Sequence, residues 1–166
     1  MATPDFVLHL RSFVGHTQLW LPGVTAVITD TDLTRVLLVR RADNGQWTPV
    51  TGIIDPGEEP AYAGAREAWE EAAVRVHPQR LVSTEVVGPV EYENGDRTIY
   101  LDLSFHMIYE SGTPFPADGE NSEVAWFAAG ELPAMNARFT QVVHRVLSGE
   151  DGRAVFDANV AGIWEQ

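Results

Sequence analysis

Three glutamates follow Glu58 at a spacing that brings them together on a helix, namely Glu67, Glu70 and Glu71. At positions i, i+3 and i+4 their carboxylates crowd one helical face, where they repel one another unless cations lie among them. Arg66 precedes Glu70 by four residues, close enough to orient a carboxylate through a charge-assisted hydrogen bond. The spacing therefore predicts a helical site for a divalent cation.

The residues before these glutamates predict how the helix is positioned. Asp55-Pro56-Gly57 is a turn sequence, so Glu58 is expected to emerge from a tight loop near the helix start. Pro60 suits the first turn of a helix. A stripe of small apolar residues would let the helix lie close against a sheet, and its members are Ala61, Ala65, Ala68 and Ala72. The carboxylates are then expected on a different face.

The segment from Gly52 to Val74 resembles the Nudix box, G-x5-E-x7-R-E-U-x-E-E-x-G-U, in which U is a bulky apolar residue. Every charged position matches, and six fixed identities at this spacing arise by chance on the order of once in ten million starts. Two positions depart from the pattern: Ala73 replaces the usual Gly, and the small Ala68 stands at the first apolar position. Ala73 removes no ligand and is expected to tighten helix packing.

The resemblance implies a hydrolase of diphosphates that uses Mg²⁺, with Mn²⁺ as an alternative cation. In the family the metal is held by box glutamates together with a carbonyl near the leading glycine. The metal-ligand candidates in the box are therefore Gly52, Glu58, Glu67, Glu70 and Glu71, with Glu58 assisting directly or through water. Carboxylate oxygens suit this hard cation, which keeps several waters when bound. One of these waters can become the nucleophile.

A further carboxylate often comes, in the family, from a loop that precedes a late strand. Here Glu120 is the first candidate and Glu123 the second. A general base must reach the attacking water, and both Glu67 and Glu120 could do so. The expected catalytic set is completed by Glu70 and by Arg66, which orients the carboxylates.

Arg40 and Arg41 end a strand close in sequence to the box. Strand geometry sends their side chains to opposite faces, so one is expected to contact substrate phosphate and the other to be exposed or structural. The resemblance implies a small-molecule substrate, a nucleoside diphosphate linked to a moiety X. A nucleotide sugar or ADP-ribose is the first interpretation, and a modified nucleoside triphosphate is the second.

Composition narrows the class of protein. The 166 residues suit a single globular domain, residues 1–166, with 45% hydrophobic and 21% charged residues. A net charge of −13 argues against binding to nucleic acid or to anionic membranes. The chain has no Cys, and no Lys that could act as a nucleophile. Without a signal peptide or a membrane-spanning stretch, a cytoplasmic protein is expected.

Periodicity predicts a mixed sheet between helices, the α/β/α sandwich that the resemblance also implies. Helices are predicted at residues 6–14, after Pro60 and at 136–147, with strands at 18–21, 24–29, 36–40, 81–92, 98–109 and 123–128. Pro22-Gly23 is predicted as a turn, and Asn94-Gly95 as a two-residue hairpin turn with positive φ at both positions. The C-terminal tail either caps the core, through Val155, Phe156, Ile163 and Trp164, or packs on the second subunit of a homodimer.

Two other functions remain open. A Nudix-like domain can keep its fold and serve as a ligand-sensing module without turnover. Asp30, in Asp30-Thr31-Asp32-Leu33-Thr34, fits the D-x-D-x-T pattern of haloacid-dehalogenase-like phosphatases, where the first Asp is a nucleophile. That pattern is weak, the fold also needs a Lys, and a polar hairpin turn is the alternative. The histidines lack the spacing of a zinc site.

Overall fold

The computed structural model describes residues 3–149 and 152–158. In chain order the elements are α1 (Asp5–Val14), β1 (Leu19–Thr29), β2 (Arg35–Arg41), β3 (Trp47–Thr48), β4 (Val50–Ile53), α2 (Pro60–Ala72), β5 (Val74–Glu91), β6 (Arg97–Gly112), β7 (Asn121–Ala128) and α3 (Ala137–Leu147). The predicted helices and hairpins are confirmed, with shifts of boundaries.

The strands form one mixed sheet. Its main path runs β3-β2-β1-β6-β5, while β4 pairs with β1 and β7 pairs with β2. The pairing of β1 with β6 is parallel, and the other strand pairs are antiparallel. The expected mixed sheet is therefore confirmed.

Helices cover both faces of this sheet. On one face Ala68 of α2 shares a core cluster with Ala26 of β1, whereas Val143 of α3 shares another with Val27. Because neighbouring residues of a strand point to opposite faces, α2 and α3 lie on opposite sides of the sheet. A third cluster joins α1 to the sheet through Val7 and Leu21. The predicted α/β/α sandwich is confirmed.

The buried face of α2 differs from the predicted alanine stripe. Its buried residues are Ala63, Gly64, Glu67, Ala68, Glu71 and Ala72, whereas Ala61 and Ala65 are half-buried. Gly64 lies so close to β6 that an added Cβ would be 2.4 Å from Cε of Met107. Two of the box carboxylates therefore share the sheet-facing side of the helix with the alanines.

The end of α2 corrects another expectation. Ala73 has φ 55° and ψ 33°, the left-handed conformation, and its N–H bonds back to the carbonyls of Ala68 and Trp69. It lies after the last helical residue, so the expectation that it tightens helix packing is wrong. A left-handed residue at this position is a common way to end a helix, and glycine adopts it most easily.

Two predicted turns differ from the structure. Pro22 and Gly23 are inside β1, which pairs with β6 without interruption from Leu19 to Thr29. The carbonyl of Pro22 accepts a hydrogen bond from the N–H of Ile54, so tertiary pairing overrides the local turn preference. In the β5–β6 hairpin Gly95 has positive φ but Asn94 does not. Instead, the Asn94 side chain accepts a hydrogen bond from the N–H of Asp96.

Part of the C-terminal tail reaches the edge of the sheet. Val155 forms a parallel bridge with Ser83 of β5, yet Val155 and Phe156 are both exposed. These two residues therefore do not cap the core as one interpretation expected, and Ile163 and Trp164 lie outside the described residues. Among the described helices, none is long and apolar enough to cross a membrane.

Candidate metal centre

Arg66 lies at the centre of the box carboxylates. Its Nε donates to Oε1 of Glu58 at 2.8 Å and its Nη2 to Oε2 of the same residue at 3.0 Å. Its Nη1 donates to Oε1 of Glu67 at 2.9 Å and to Oε2 of Glu70 at 3.0 Å. A further hydrogen bond fixes Nη2 on the carbonyl of Ile53. One positive charge is thus shared by three carboxylates.

These contacts change the protonation equilibria of the groups involved. The hydrogen bonds to Glu58 raise the pKa of Arg66 above its ordinary value, so the guanidinium stays charged. The same hydrogen bonds hold the pKa of Glu58 below its ordinary value. Arg66 and Glu58 therefore form a fixed ion pair that ties the middle of α2 to the loop before the helix.

Glu67 and Glu71 are buried carboxylates. Only 6% of Glu67 and 5% of Glu71 is exposed. Burial raises the pKa of Glu67 to about 7 in spite of the nearby Arg66. Burial also raises the pKa of Glu71 to about 8, although a hydrogen bond from Asn121 acts in the opposite direction. Buried charge of this kind needs a proton or a cation for compensation.

Gly52 makes room for one of these carboxylates. A Cβ at this position would lie 2.1 Å from Oε1 of Glu67, closer than any side chain allows. Gly52 pairs with Val24 in the β1–β4 ladder, so the strand carries its backbone directly against the Glu67 carboxylate. A side chain at this position would therefore displace the Glu67 carboxylate from its place against β4.

The donor chemistry suits a hard divalent cation, since the site consists of carboxylates and a closely approached backbone. In the described residues, however, no group of three acidic, His or Cys side chains converges in an arrangement that could hold a metal ion. The reason is visible in the contacts, because Glu58, Glu67 and Glu70 all point at Arg66. Half of the Glu70 side chain is exposed, so it can turn away from Arg66 at low cost.

The two arginines of β2 separate as strand geometry predicts. Arg41 follows Val39 on the α2 face, and both the hydrogen bond to Asp43 and the charge of Glu71 raise its pKa. Its Nε and Nη2 contact the Asp43 carboxylate at 2.9 and 2.6 Å. Arg40 lies on the other face and donates to the carbonyl of Gly45 at 3.0 Å. The structure therefore brings Arg41, and not Arg40, towards the carboxylates.

The start of β7 contributes a residue to the site that was not predicted from the sequence. Glu123 is exposed and its carboxylate lies 3.4 Å from Nη1 of Arg40, away from the box. Glu120 is half-buried, and its carbonyl accepts a hydrogen bond from the N–H of Ala42 at 2.9 Å. Between them, Asn121 is buried and donates from Nδ2 to Oε2 of Glu71 at 3.0 Å. Nothing in the sequence marks this amide as different from other loop residues.

Asp30 does not approach this site. Its Oδ1 accepts hydrogen bonds from the N–H groups of Thr34 at 2.8 Å and of Arg35 at 3.3 Å. Its carboxylate is thereby engaged in the β1–β2 turn, as the polar-turn alternative expected.

A comparison with protein-family models identifies the family of this chain. The model of the NUDIX domain matches residues 19–147, which include every element from β1 to α3. The chain belongs to the Nudix hydrolase family. Members of this family generally use divalent metal ions, usually Mg²⁺.

Curated Nudix relatives match the chain over part of its length. A MutT-like protein of Streptomyces ambofaciens is 32% identical over 118 residues, covering 71% of this chain and 70% of that protein. The NAD-capped RNA hydrolase NudC of Stutzerimonas stutzeri is 30% identical over 127 residues, covering 75% of this chain and 42% of NudC. The match thus spans about two fifths of the length of NudC.

Solved Nudix structures share the fold. A UDP-X diphosphatase has a TM-score of 0.65 at 18% identity, covering 92% of this chain and 74% of that structure. An ADP-ribose pyrophosphatase of Streptococcus suis has a TM-score of 0.64 at 20% identity, covering 82% of this chain and 98% of that structure. At these identities the likeness concerns the fold alone.

Proposed function

We propose that this Nudix protein is a Mg²⁺-dependent pyrophosphohydrolase that cleaves a nucleoside diphosphate linked to a moiety X. The products are a nucleoside monophosphate and a phosphorylated X. The observation that carries the proposal is the concentration of box carboxylates on α2 and in the loop before it: three of them contact Arg66, Glu67 and Glu71 are buried, and Gly52 leaves space for Glu67. Burying ionised carboxylates lowers the stability of a fold unless a bound cation compensates their charge.

The residues that would hold Mg²⁺ are Gly52, through its carbonyl, and Glu58, Glu67, Glu70, Glu71 and Glu120, through their carboxylates. When bound, Mg²⁺ neutralises diphosphate oxygens and makes a water more acidic. Glu58 is held by Arg66 through two hydrogen bonds, which favours a role through water. Glu70 is the most exposed of the helical carboxylates in the Arg66 cluster and is free to exchange Arg66 for a cation.

The remaining roles follow from position. Glu67 or Glu120 takes the proton of the attacking water, and the choice between them is open. Arg66 orients Glu58 and Glu67 and limits their mutual repulsion. Arg41 lies near Glu71 and binds a phosphate oxygen of the substrate, for which a planar guanidinium is suited.

A nucleotide sugar or ADP-ribose is the favoured substrate, and a modified nucleoside triphosphate is second. A UDP-X diphosphatase and an ADP-ribose pyrophosphatase are among the structures that share this fold, so the substrates in their names are the first to test. NudC, by its name, acts on NAD-capped RNA, but a net charge of −13 disfavours contacts with an RNA backbone. NAD-capped RNA is therefore a useful competitor substrate in a test.

A substrate panel tests the proposal. Purified protein with Mg²⁺ is offered ADP-ribose, UDP-sugars, dinucleoside polyphosphates, modified triphosphates and NAD-capped RNA, and products are resolved by ion-exchange chromatography. The Glu70→Gln and Glu71→Gln variants should lose turnover while staying folded, and the matched control Glu123→Gln should keep it.

Three results would contradict the proposal in different ways. Saturable binding of a nucleotide without products from any panel member would identify a ligand-sensing module. Loss of turnover in Asp30→Asn with both glutamine variants active would favour the haloacid-dehalogenase-like chemistry. Turnover unaffected by removal of divalent cations with a chelator would exclude the metal.

A further inference from the structure

Asn121 is a buried polar residue in direct contact with a box glutamate. Only 6% of it is exposed, and its Nδ2 donates to Oε2 of Glu71 at 3.0 Å. The contact joins β7 to α2 across 50 residues of sequence. A hydrogen bond to a buried carboxylate is among the stronger ones that a neutral side chain makes.

A β-bulge turns Asn121 towards Glu71. In the β2–β7 ladder Arg40 pairs with Glu123 and Arg41 with Asn121, so Ser122 is an extra residue. Strict alternation from Val124, which packs on the α2 face, would have placed Ser122 on that face. Because of the bulge, Asn121 points to the α2 face in place of Ser122.

The bulge is itself held by hydrogen bonds. The hydroxyl of Ser122 donates to the carbonyl of Arg40 at 3.2 Å, and the N–H of Ala42 donates to the carbonyl of Glu120 at 2.9 Å. These hydrogen bonds fix the backbone that carries the Asn121 side chain. A fixed donor on a rigid strand can select one orientation of its acceptor.

The chemistry of this donor differs from that of the donor to the other carboxylates. Arg66 supplies a full positive charge to Glu58, Glu67 and Glu70, and a cation must compete with that charge. The Asn121 amide is neutral, so it orients Glu71 without adding a positive charge that would compete with a cation. Outer partners of this kind fix the direction of a ligand and tune its affinity for metal.

We propose that Asn121 is a positioning residue that holds the Glu71 carboxylate in the orientation needed to bind a divalent cation. The inference rests on the proposed function, because it assigns a partner to one of the proposed ligands. It adds to the expected site a residue that touches neither the cation nor the substrate and acts through Glu71.

The test compares cation binding in Asn121→Leu with that in the wild type. Leucine has nearly the shape of asparagine but cannot donate a hydrogen bond. Mn²⁺ affinity, measured by titration with detection of free Mn²⁺ by electron paramagnetic resonance, should fall about 10- to 100-fold. At saturating Mg²⁺, kcat should fall while KM changes little. Glu123→Gln is the matched control, since it alters an exposed residue of the same strand whose carboxylate faces Arg40 and not Glu71, and it should bind Mn²⁺ as the wild type does.

A double variant separates positioning from a general effect on the fold. In a Glu71→Gln background, Asn121→Leu should cause no further loss of Mn²⁺ affinity, because the group on which it acts is gone. An equal loss in both backgrounds would overturn the proposal, as would wild-type affinity in Asn121→Leu. If Asn121→Leu does not fold by circular dichroism, Asn121→Ala replaces it in both arms.

The outcomes also distinguish this inference from the proposed function. If the wild type cleaves a panel substrate and Glu71→Gln does not, the proposed function stands whatever Asn121→Leu does. If Asn121→Leu then behaves like Glu123→Gln, the positioning role alone has failed.

Discussion

Replacing Ala73 with glycine should stabilise this protein. Ala73 ends α2 in the left-handed conformation, with φ 55°, which costs an L-residue with a Cβ about 1–2 kcal/mol. Glycine avoids this cost but loses about 0.5–1 kcal/mol more through backbone entropy on folding. The net gain for Ala73→Gly is therefore roughly 0.5–1 kcal/mol. For a domain of this size, the gain corresponds to a rise in Tm of about 1–4 °C.

Ala72→Gly is the matched control, because Ala72 is the last residue of α2 and is fully buried. There the same substitution meets a helical backbone, so it should cost about 1 kcal/mol and lower the Tm. Differential scanning calorimetry of the three proteins at one pH, without divalent cations, measures both shifts. A lower Tm for Ala73→Gly than for the wild type would refute the reasoning, since it would mean that the Ala73 methyl group contributes more than the left-handed backbone costs.

Three further predictions concern single side chains. Arg41→Leu should raise KM for the diphosphate substrate about tenfold with a smaller change in kcat, because it removes a contact common to ground and transition states. Arg40→Leu is the control and should leave KM unchanged. Equal effects of the two substitutions in steady-state kinetics would contradict the assignment. Arg138→Met should lower the free energy of unfolding by roughly 3 kcal/mol, because Arg138 pairs with the buried Asp102. Urea denaturation measures this loss, and a free energy of unfolding equal to that of the wild type would contradict the prediction. Burial lowers the pKa of His106 to about 4 from the ordinary 6.5, so the unfolded chain takes up a proton in this window that the folded chain does not. The contribution of His106 to stability should therefore fall by roughly 2–3 kcal/mol as the pH drops from 6.5 to 4. Glu67 and Glu71 act in the opposite direction, because burial raises their pKa values, so the contribution is measured as the difference between the urea-derived profiles of the wild type and His106→Gln; a difference that does not change with pH would contradict the assignment.

The part of the site inside the box was predictable because local geometry dominates there. Helical spacing fixes how Arg66 meets Glu70, and the contact forms at 3.0 Å. The turn before the helix likewise places Glu58 against Arg66. These residues are joined by one short stretch of backbone, so the sequence alone limits their separation.

The parts outside the box depend on pairing between distant strands. The sequence predicts that Arg40 and Arg41 point to opposite faces of the sheet. Which of the two faces the carboxylates of α2 depends on the register of β2 against the rest of the sheet. The bulge at Ser122 reverses the alternation of β7 and brings in Asn121. Pro22-Gly23 shows the same limit, since a sequence typical of a turn forms part of a long strand once β6 pairs with it. Sequence periodicity describes local structure and does not determine how distant strands pair.

The burial of Glu67 and Glu71 connects the fold to the proposed chemistry. Both carboxylates occupy the sheet-facing side of α2 beside Ala68 and Ala72, where apolar residues would stabilise the fold more. A helix selected for stability alone would not keep acids at these positions, whereas a cation site needs carboxylates that are desolvated and fixed. Arg66 and Asn121 have different roles in this site. The Arg66 guanidinium limits the repulsion among the carboxylates that it contacts, and the Asn121 amide orients Glu71 without adding a positive charge. Stability is lowered at the positions where a cation would restore it, which is the pattern expected of a functional site.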